Sequence, residues 1–120
     1  MPPTSESRWI SHEPNGDVLI VRLRRKHLLD AEEVAALGNH LLDLVEDRGR
    51  TKLLLDLEQV ERMATDLLTK LVTVHRRAEA AGGRLAICGL KQPFLELLAA
   101  LNLAGILHTY PTEGAALESF

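Results

Sequence analysis

The sequence is organised around an almost wholly apolar run, Leu-Leu-Leu-Asp-Leu, at residues 53–57. A strand with one wet face alternates apolar and polar residues, so this run predicts a strand covered on both faces, as parallel strands flanked by helices are. Asp56 marks its carboxyl end. A second short apolar run, at residues 85–88, follows the glycine pair Gly82 and Gly83. The two runs therefore predict a strand, a helix and a parallel strand, joined by a right-handed crossover.

The stretch between these strands predicts an amphipathic helix that begins at about Thr65. The Thr65 hydroxyl is suited to cap the helix, because it can accept a hydrogen bond from a free amide of the first turn. Asp66 favours the same start, since its charge meets the positive end of the helix dipole. The apolar face is formed by Leu67, Leu68, Leu71, Val74, His75 and Ala78. The other face carries Thr69, Lys70, Thr73, Arg76 and Arg77. One face is thus expected to pack on the sheet and the other to meet water.

Length and composition indicate one globular domain. Of the 120 residues, 46% are hydrophobic and 26% are charged, so aliphatic side chains are expected to form a single core. We expect a flexible N-terminal tail at residues 1–7, which contain Pro-Pro and small polar residues, and one domain at residues 8–120. The net charge of −3 combines both signs, and aromatic residues make up only 3%. Direct binding to nucleic acid is therefore not expected.

Membrane association is not expected either. No stretch approaches the roughly 20 apolar residues needed to span a bilayer, and the N-terminus lacks a charged segment followed by an apolar run. The predicted compartment is the cytoplasm. The single cysteine, Cys88, excludes an internal disulfide and lies in an apolar run. It is therefore expected to be a small core residue.

The segment before this unit predicts a hairpin and a helix. Residues 9–13 and 18–23 are separated by a turn that contains Asn-Gly, which favours hairpins. Three hairpin residues, Val18, Ile20 and Leu23, are expected to point inward. The basic run at residues 24–27 fits either a solvated loop or a contact for an acidic partner. Asp30 is expected to cap the following helix, which ends at Gly49. Its apolar stripe is Val34, Leu37, Leu41, Leu44 and Val45.

The segment after the unit predicts a helix, an edge strand and a terminal helix. Pro93 suits the first turn of the first helix. The residues expected to point inward from it are Phe94, Leu97, Leu98 and Leu101. Residues 106–110 predict the edge strand, and Thr112 is expected to cap a terminal helix that runs through Leu117.

The common catalytic and metal-binding patterns are absent from the sequence. It contains no phosphate-binding glycine loop, cysteine pair, HExxH pattern or serine elbow, so no catalytic residue is assigned and an enzyme is not expected. The five histidines are His12, His27, His40, His75 and His108. Their spacing is not that of metal ligands, so neither a metal nor a cofactor is expected. His75 is interpreted as a hydrogen-bonded packing residue.

Residues 56–68 resemble the distinctive motif of STAS domains, and among these of bacterial anti-sigma factor antagonists. Such proteins have an apolar strand ending in Asp-Leu, a turn with an apolar residue, and Asp-Ser-x-Gly-Leu at the start of a helix. A Gly-Gly then precedes the next strand. Here the stretch is Asp-Leu-Glu-Gln-Val-Glu-Arg-Met-Ala-Thr-Asp-Leu-Leu. Thr65 matches the phosphorylatable residue and Leu68 the final Leu.

Three positions differ from the family pattern. Ala64 replaces the motif Asp, which removes a carboxylate beside the Thr65 hydroxyl. Leu67 replaces the motif Gly and is expected to place a side chain where the backbone of a partner approaches. Asn102, in Leu101-Asn102-Leu103, stands where a later Gly-Leu segment of the family has its Gly.

The resemblance implies an α/β fold of the STAS type, in which a mixed sheet has an antiparallel N-terminal strand and helices packed against it. It implies a regulatory protein that binds an anti-sigma factor of the ATP-binding kinase type and is switched off by phosphorylation at Thr65. A phosphatase would be a second partner. The candidate partner-binding residues are Asp56, Ala64, Thr65, Asp66, Thr69 and Thr73.

Two alternatives remain open at this point. The protein could be a non-switching STAS scaffold or a ligand-sensing module of a larger assembly, in which Thr65 is only a cap. Asp56 either orients the region of Thr65 or forms a turn after the buried strand.

Overall fold

The computed structural model describes residues 9–120, whose strands form two sheets. The expected tail at residues 1–7 lies outside the described residues. The strands are β1 Ile10–Asn15, β2 Val18–Leu23, β3 His27–Leu28, β4 Lys52–Asp56, β5 Arg62–Met63, β6 Arg84–Cys88 and β7 His108–Tyr110. The helices are α1 Ala31–Glu46, α2 Thr65–Ala80, α3 Gln92–Ala100 and α4 Glu113–Glu118.

The larger sheet is mixed and has the strand order β1-β2-β4-β6-β7. Strand β1 pairs with β2 in antiparallel fashion, and every other neighbouring pair in this sheet is parallel. This topology confirms the predicted hairpin, the antiparallel first strand and the parallel unit of β4, α2 and β6. Strands β3 and β5 form a separate parallel pair in which His27 is opposite Arg62 and Leu28 is opposite Met63.

Strand β4 is covered on both faces, as its unbroken apolar run predicted. Leu53 and Leu55 lie in the main core with the buried side chains of α1 and α2. Leu54 points the other way, into a smaller cluster with Ala116 of α4. The strand itself spans Lys52–Asp56, one residue earlier than predicted, and Leu57 is buried beyond its end.

Helix α2 buries the apolar face that its spacing predicted. The buried residues are Leu67, Leu68, Leu71, Val74, His75 and Ala78. The Nδ1 atom of His75 accepts a hydrogen bond from the Leu85 N–H, at 3.3 Å, which confirms a packing role. Cys88 is buried, also as predicted. Within residues 9–120, no helix is both long enough and apolar enough to cross a membrane.

Two of the predicted helix caps are confirmed by their hydrogen bonds. The Asp30 carboxylate accepts from the N–H groups of Glu32 and Glu33, at 2.8 and 3.2 Å, at the start of α1. The Thr112 hydroxyl accepts from the Ala115 N–H, at 3.1 Å, at the start of α4. Each cap satisfies backbone donors that have no partner within the helix.

The end of α3 differs from the prediction. Leu98 is buried, Phe94 and Leu97 are half-buried, and Leu101 is exposed. Asn102 adopts a φ of 61°, which turns the chain and lets the Leu103 N–H donate to the Leu98 carbonyl at 2.8 Å. This left-handed cap ends the helix before Leu101 can join its inner face. The prediction that Leu101 points inward is therefore wrong.

Candidate functional site

The start of α2 is fixed at the surface by the small sheet of β3 and β5. The Lys26 carbonyl accepts hydrogen bonds from the N–H groups of Glu61 and Arg62, at 2.7 and 3.0 Å. The Leu28 carbonyl accepts from the Ala64 N–H at 2.8 Å. Because these bonds hold the chain in an extended conformation up to Ala64, the helix begins at the next residue.

Thr65 is the first residue of α2, so the prediction that it is the N-cap of this helix is wrong. Ala64 occupies the cap position, with φ of −71° and ψ of 141°, and provides no side-chain hydrogen bond to the helix. The pairing of β5 extends the chain one residue further than the sequence suggested. The Thr65 side chain is therefore not needed as the helix cap and is exposed to solvent.

Thr65, Asp66, Thr69 and Thr73 lie exposed along α2, and we call these four residues the threonine face. Their spacing of three and four residues places them in one stripe. Their position is set by the opposite side of the helix, where side chains such as Leu68 and Leu71 are fully buried.

Leu67 lies outside the threonine face because it belongs to the core. Its side chain has 0% exposure and packs in the main cluster. The expectation that Leu67 stands where a partner backbone approaches is wrong, since the side chain turns inward. Ala64 is half-buried at the edge of the same cluster.

An apolar side chain that the sequence reasoning missed lies next to this region. Leu29 is 53% exposed, and it directly follows Leu28, whose carbonyl is bonded to Ala64. The pair Leu28-Leu29 contained the necessary signal, because successive residues of an extended chain point to opposite sides. Lys26 and His27 are also exposed here.

Asp56 lies on the other side of the sheet from α2. Alternation along β4 puts it on the same side as Leu54, which packs with α4. Its Oδ1 atom accepts from the Glu58 N–H at 2.9 Å, so the turn role considered for Asp56 is confirmed. The structure therefore does not bring Asp56 together with the threonine face.

Asp56 instead borders a polar cavity of about 450 Å³ that Arg22 and Glu113 also line. Arg22 donates to both carboxylate oxygens of Glu113, at 2.6 and 2.9 Å, and to Glu13 at 2.6 Å. These bonds lower the pKa of Glu113 to about 2. Burial, and a hydrogen bond with Glu113, raise the pKa of Asp56 to about 6.

We expect Asp56→Asn to stabilise the protein at pH 8. The folded pKa of Asp56, about 6, lies above its ordinary value of 3.8, so the folded state binds this proton more tightly. The free energy of unfolding therefore falls as the pH rises from about 4 to 6, and the full penalty is present above pH 6. The asparagine side chain has nearly the same shape as the protonated carboxyl group but does not ionise. The variant therefore avoids the loss of stability that ionisation of Asp56 causes.

The expected gain at pH 8 is about 1 kcal/mol, because solvent screens a group that is only partly buried. At pH 4 the variant and the original protein should be nearly equal. Urea unfolding at both pH values measures the difference, and Glu58→Gln is the control for removing one nearby charge. A variant that is no more stable at pH 8 would contradict the raised pKa.

The solved structures that resemble this chain include proteins of two kinds. A proposed anti-sigma factor antagonist from Thermotoga maritima has 23% sequence identity and a TM-score of 0.81, over 95% of this chain and 96% of that one. The Bacillus cell fate determinant SpoIIAA, in its phosphorylated form, has 16% identity and a TM-score of 0.70, over 92% of this chain and 97% of its own. The murine anion transporter Slc26a9 has 13% identity and a TM-score of 0.68, over 89% of this chain but 18% of the transporter.

At these identities, the likeness to the solved structures shows the fold alone. No curated protein matches the chain. The family model of the STAS domain, however, matches residues 10–116, which span both β1 and the buried Ala116 of α4. The chain therefore belongs to the STAS domain family.

Proposed function

We propose that this protein antagonises an anti-sigma factor of the ATP-binding kinase type, and that phosphorylation of Thr65 switches it off. The observation that carries the proposal is the exposed Thr65 side chain, at the first residue of α2 and at the motif position of the phosphorylated residue. The solved structure of SpoIIAA in a phosphorylated form supports it, because that protein shares the fold.

The docking surface would consist of the threonine face and Leu29. The threonine face supplies hydroxyl and carboxylate groups for hydrogen bonds, and Leu29 supplies an apolar side chain that is 53% exposed. Interfaces commonly combine an apolar anchor with a polar surround, and the β3–β5 pairing holds both parts in fixed positions. Asp56 has no part in this surface, because it lies on the opposite side of the sheet.

The switch follows from the charge that the modification adds. The kinase transfers the γ-phosphoryl group of ATP to the Thr65 hydroxyl, which releases ADP and a proton, and a phosphatase hydrolyses the ester to restore the hydroxyl. The phosphate brings about −1.5 to −2 charges to a helix start that tolerates anions. The fold therefore survives, whereas the docking surface gains bulk and charge that oppose binding.

On this proposal, the domain itself catalyses no reaction. Its part is to bind in one state and to be released in the other, in the cytoplasm where the kinase and its ATP are found. The alternative is a non-switching scaffold that uses the same docking surface. Ala64 favours this alternative, because it places no carboxylate beside the Thr65 hydroxyl.

The first test is affinity capture from the source cells, with mass spectrometry of bound proteins and of phosphorylated residues. The captured kinase then serves in binding measurements. We expect Thr65→Glu to weaken binding tenfold or more, with an unchanged unfolding midpoint, because a carboxylate is tolerated at a helix start but adds charge to the surface. Thr65→Val should bind normally and resist phosphorylation.

Thr65→Val should change the free energy of unfolding by less than about 0.5 kcal/mol, because the Thr65 hydroxyl does not cap the helix. Thr109→Val, in β7 and outside the docking surface, is the control and should be phosphorylated at Thr65 as before. Stoichiometric phosphorylation at another residue would leave the scaffold as the better explanation. Equal affinity of the kinase for the Thr65-phosphorylated and unmodified proteins would do the same.

A further inference from the structure

Two histidines from distant parts of the sequence meet at the edge of the larger sheet. The Nε2 atoms of His12 and His40 are 2.8 Å apart, and the ring centroids are 4.9 Å apart. His12 lies in β1 on the same side as Ile10, which packs against the main core. His40 lies in α1 beside the fully buried Leu41. Both rings are thus carried by regular elements that the core holds in place.

The two Nε2 atoms are close enough to bind one metal ion, although the spacing of the histidines in the sequence did not suggest a metal site. Imidazole nitrogen atoms bind first-row metals at about 2.0 to 2.1 Å. Two such bonds at a right angle separate the nitrogen atoms by about 2.9 Å, whereas a tetrahedral angle separates them by about 3.4 Å. The observed 2.8 Å is that of a hydrogen bond between the two rings, and the nitrogen atoms would have to separate by less for a right-angle site than for a tetrahedral one.

We propose that His12 and His40 chelate a divalent metal of the copper and nickel class through their Nε2 atoms. Square-planar and tetragonal sites with nitrogen and oxygen ligands are typical of Cu²⁺ and Ni²⁺. In the metal-free protein, one ring donates its Nε2 proton to the other. Binding moves that proton to Nδ1, so that both Nε2 lone pairs face the ion.

The surroundings keep both rings in the form that binds a metal. Burial is the main cause that lowers the pKa of His12, and the charges of His40 and Arg48 add to it. Burial also lowers the pKa of His40, against the opposing charge of Asp43 and with a smaller contribution from Arg48. Neutral rings are therefore favoured at pH 7. Arg48 also repels a metal ion, but its Nε atom is 3.8 Å from Asp43, whose carboxylate offsets that charge.

The remaining positions around the ion would be taken by water. Among the residues that the structure describes, no group of three or more His, Cys, Asp or Glu side chains is arranged to hold a metal. A site with two protein ligands and open positions exchanges its metal, unlike a closed structural site. Because the fold brings the two ligands together, the metal binds the folded chain preferentially and stabilises it.

The test uses Ni²⁺ alone for thermal unfolding and Cu²⁺ alone for electron paramagnetic resonance, both with the full chain. At about 100 times the dissociation constant, Ni²⁺ should raise the unfolding temperature by about 5 to 10 °C. One Cu²⁺ should bind per chain, with a spectrum that shows two nitrogen ligands. Zn²⁺, which prefers tetrahedral sites, should give less than half of the Ni²⁺ shift.

His12→Gln and His40→Gln should each remove the Ni²⁺ shift, while their unfolding temperatures without metal confirm that both fold. His27→Gln changes another exposed histidine and should retain the full shift. The proposal would be overturned by equal shifts in the original protein and in both site variants. It would also be overturned if Ni²⁺ gave no shift in the original protein.

Discussion

Leu71→Ala is expected to lower the free energy of unfolding by about 2 to 5 kcal/mol. The Leu71 side chain has 0% exposure and lies in the main core, where α2 packs against the sheet. The substitution removes apolar contacts and leaves a cavity that the surrounding residues can close only in part. Urea unfolding gives the result directly, since the midpoint should fall at constant slope.

The matched control for this prediction is Leu101→Ala. Leu101 is 43% exposed beyond the end of α3, so the same chemical change should cost less than about 0.5 kcal/mol. If the two variants lose equal stability, or if Leu71→Ala leaves both midpoint and slope unchanged, the inward position of Leu71 is wrong. The pair therefore separates the effect of burial from the effect of removing a leucine side chain.

The elements that the sequence predicted well are those whose hydrophobic residues follow a clear local pattern. The unbroken run of β4 required two covered faces, and the structure provides α2 on one side and α4 on the other. The three- and four-residue spacing of α2 identified each of its buried side chains. The caps Asp30 and Thr112 were also predictable, because a cap bonds to residues only two or three positions away.

The features that sequence reasoning missed depend on contacts between distant residues. Threonine is a common N-cap residue, which is why Thr65 was predicted to cap α2. The hydrogen bond from the Ala64 N–H to the Leu28 carbonyl, however, makes Ala64 the cap residue. The local sequence around Ala64 or Leu28 does not indicate that these two residues pair. The contact between His12 and His40 depends in the same way on the fold, because the two residues are 28 positions apart in the sequence.

The candidate site was predicted in part for the same reason. Helical spacing placed Thr65, Asp66 and Thr69 on one exposed stripe, as the structure has them. The resemblance to the family motif grouped Asp56 with them, although strand alternation turns it toward Arg22 and Glu113. Its raised pKa therefore belongs to the cavity beside α4 and not to the threonine face.

The glycine pair after α2 predicts an unequal response to substitution. Gly82 has a φ of 91°, and a side chain built on it would meet no atom within 4 Å. Gly83 is outside the left-handed region, yet a Cβ atom there would lie 2.1 Å from the carbonyl oxygen of Thr51. Backbone strain is therefore the obstacle at Gly82, and a backbone collision is the obstacle at Gly83.

The collision should be the more costly of the two. Gly83 cannot move away easily, because its N–H donates to the Ala78 carbonyl at 2.8 Å and the next N–H, of Arg84, donates to Thr51 at 2.9 Å. We expect Gly83→Ala to lower the free energy of unfolding by about 3 kcal/mol, and Gly82→Ala by about 1 to 2 kcal/mol. Urea unfolding of both variants measures the two losses. A loss at Gly82 that equals or exceeds the loss at Gly83 would show that backbone angle, and not the contact with Thr51, requires glycine here.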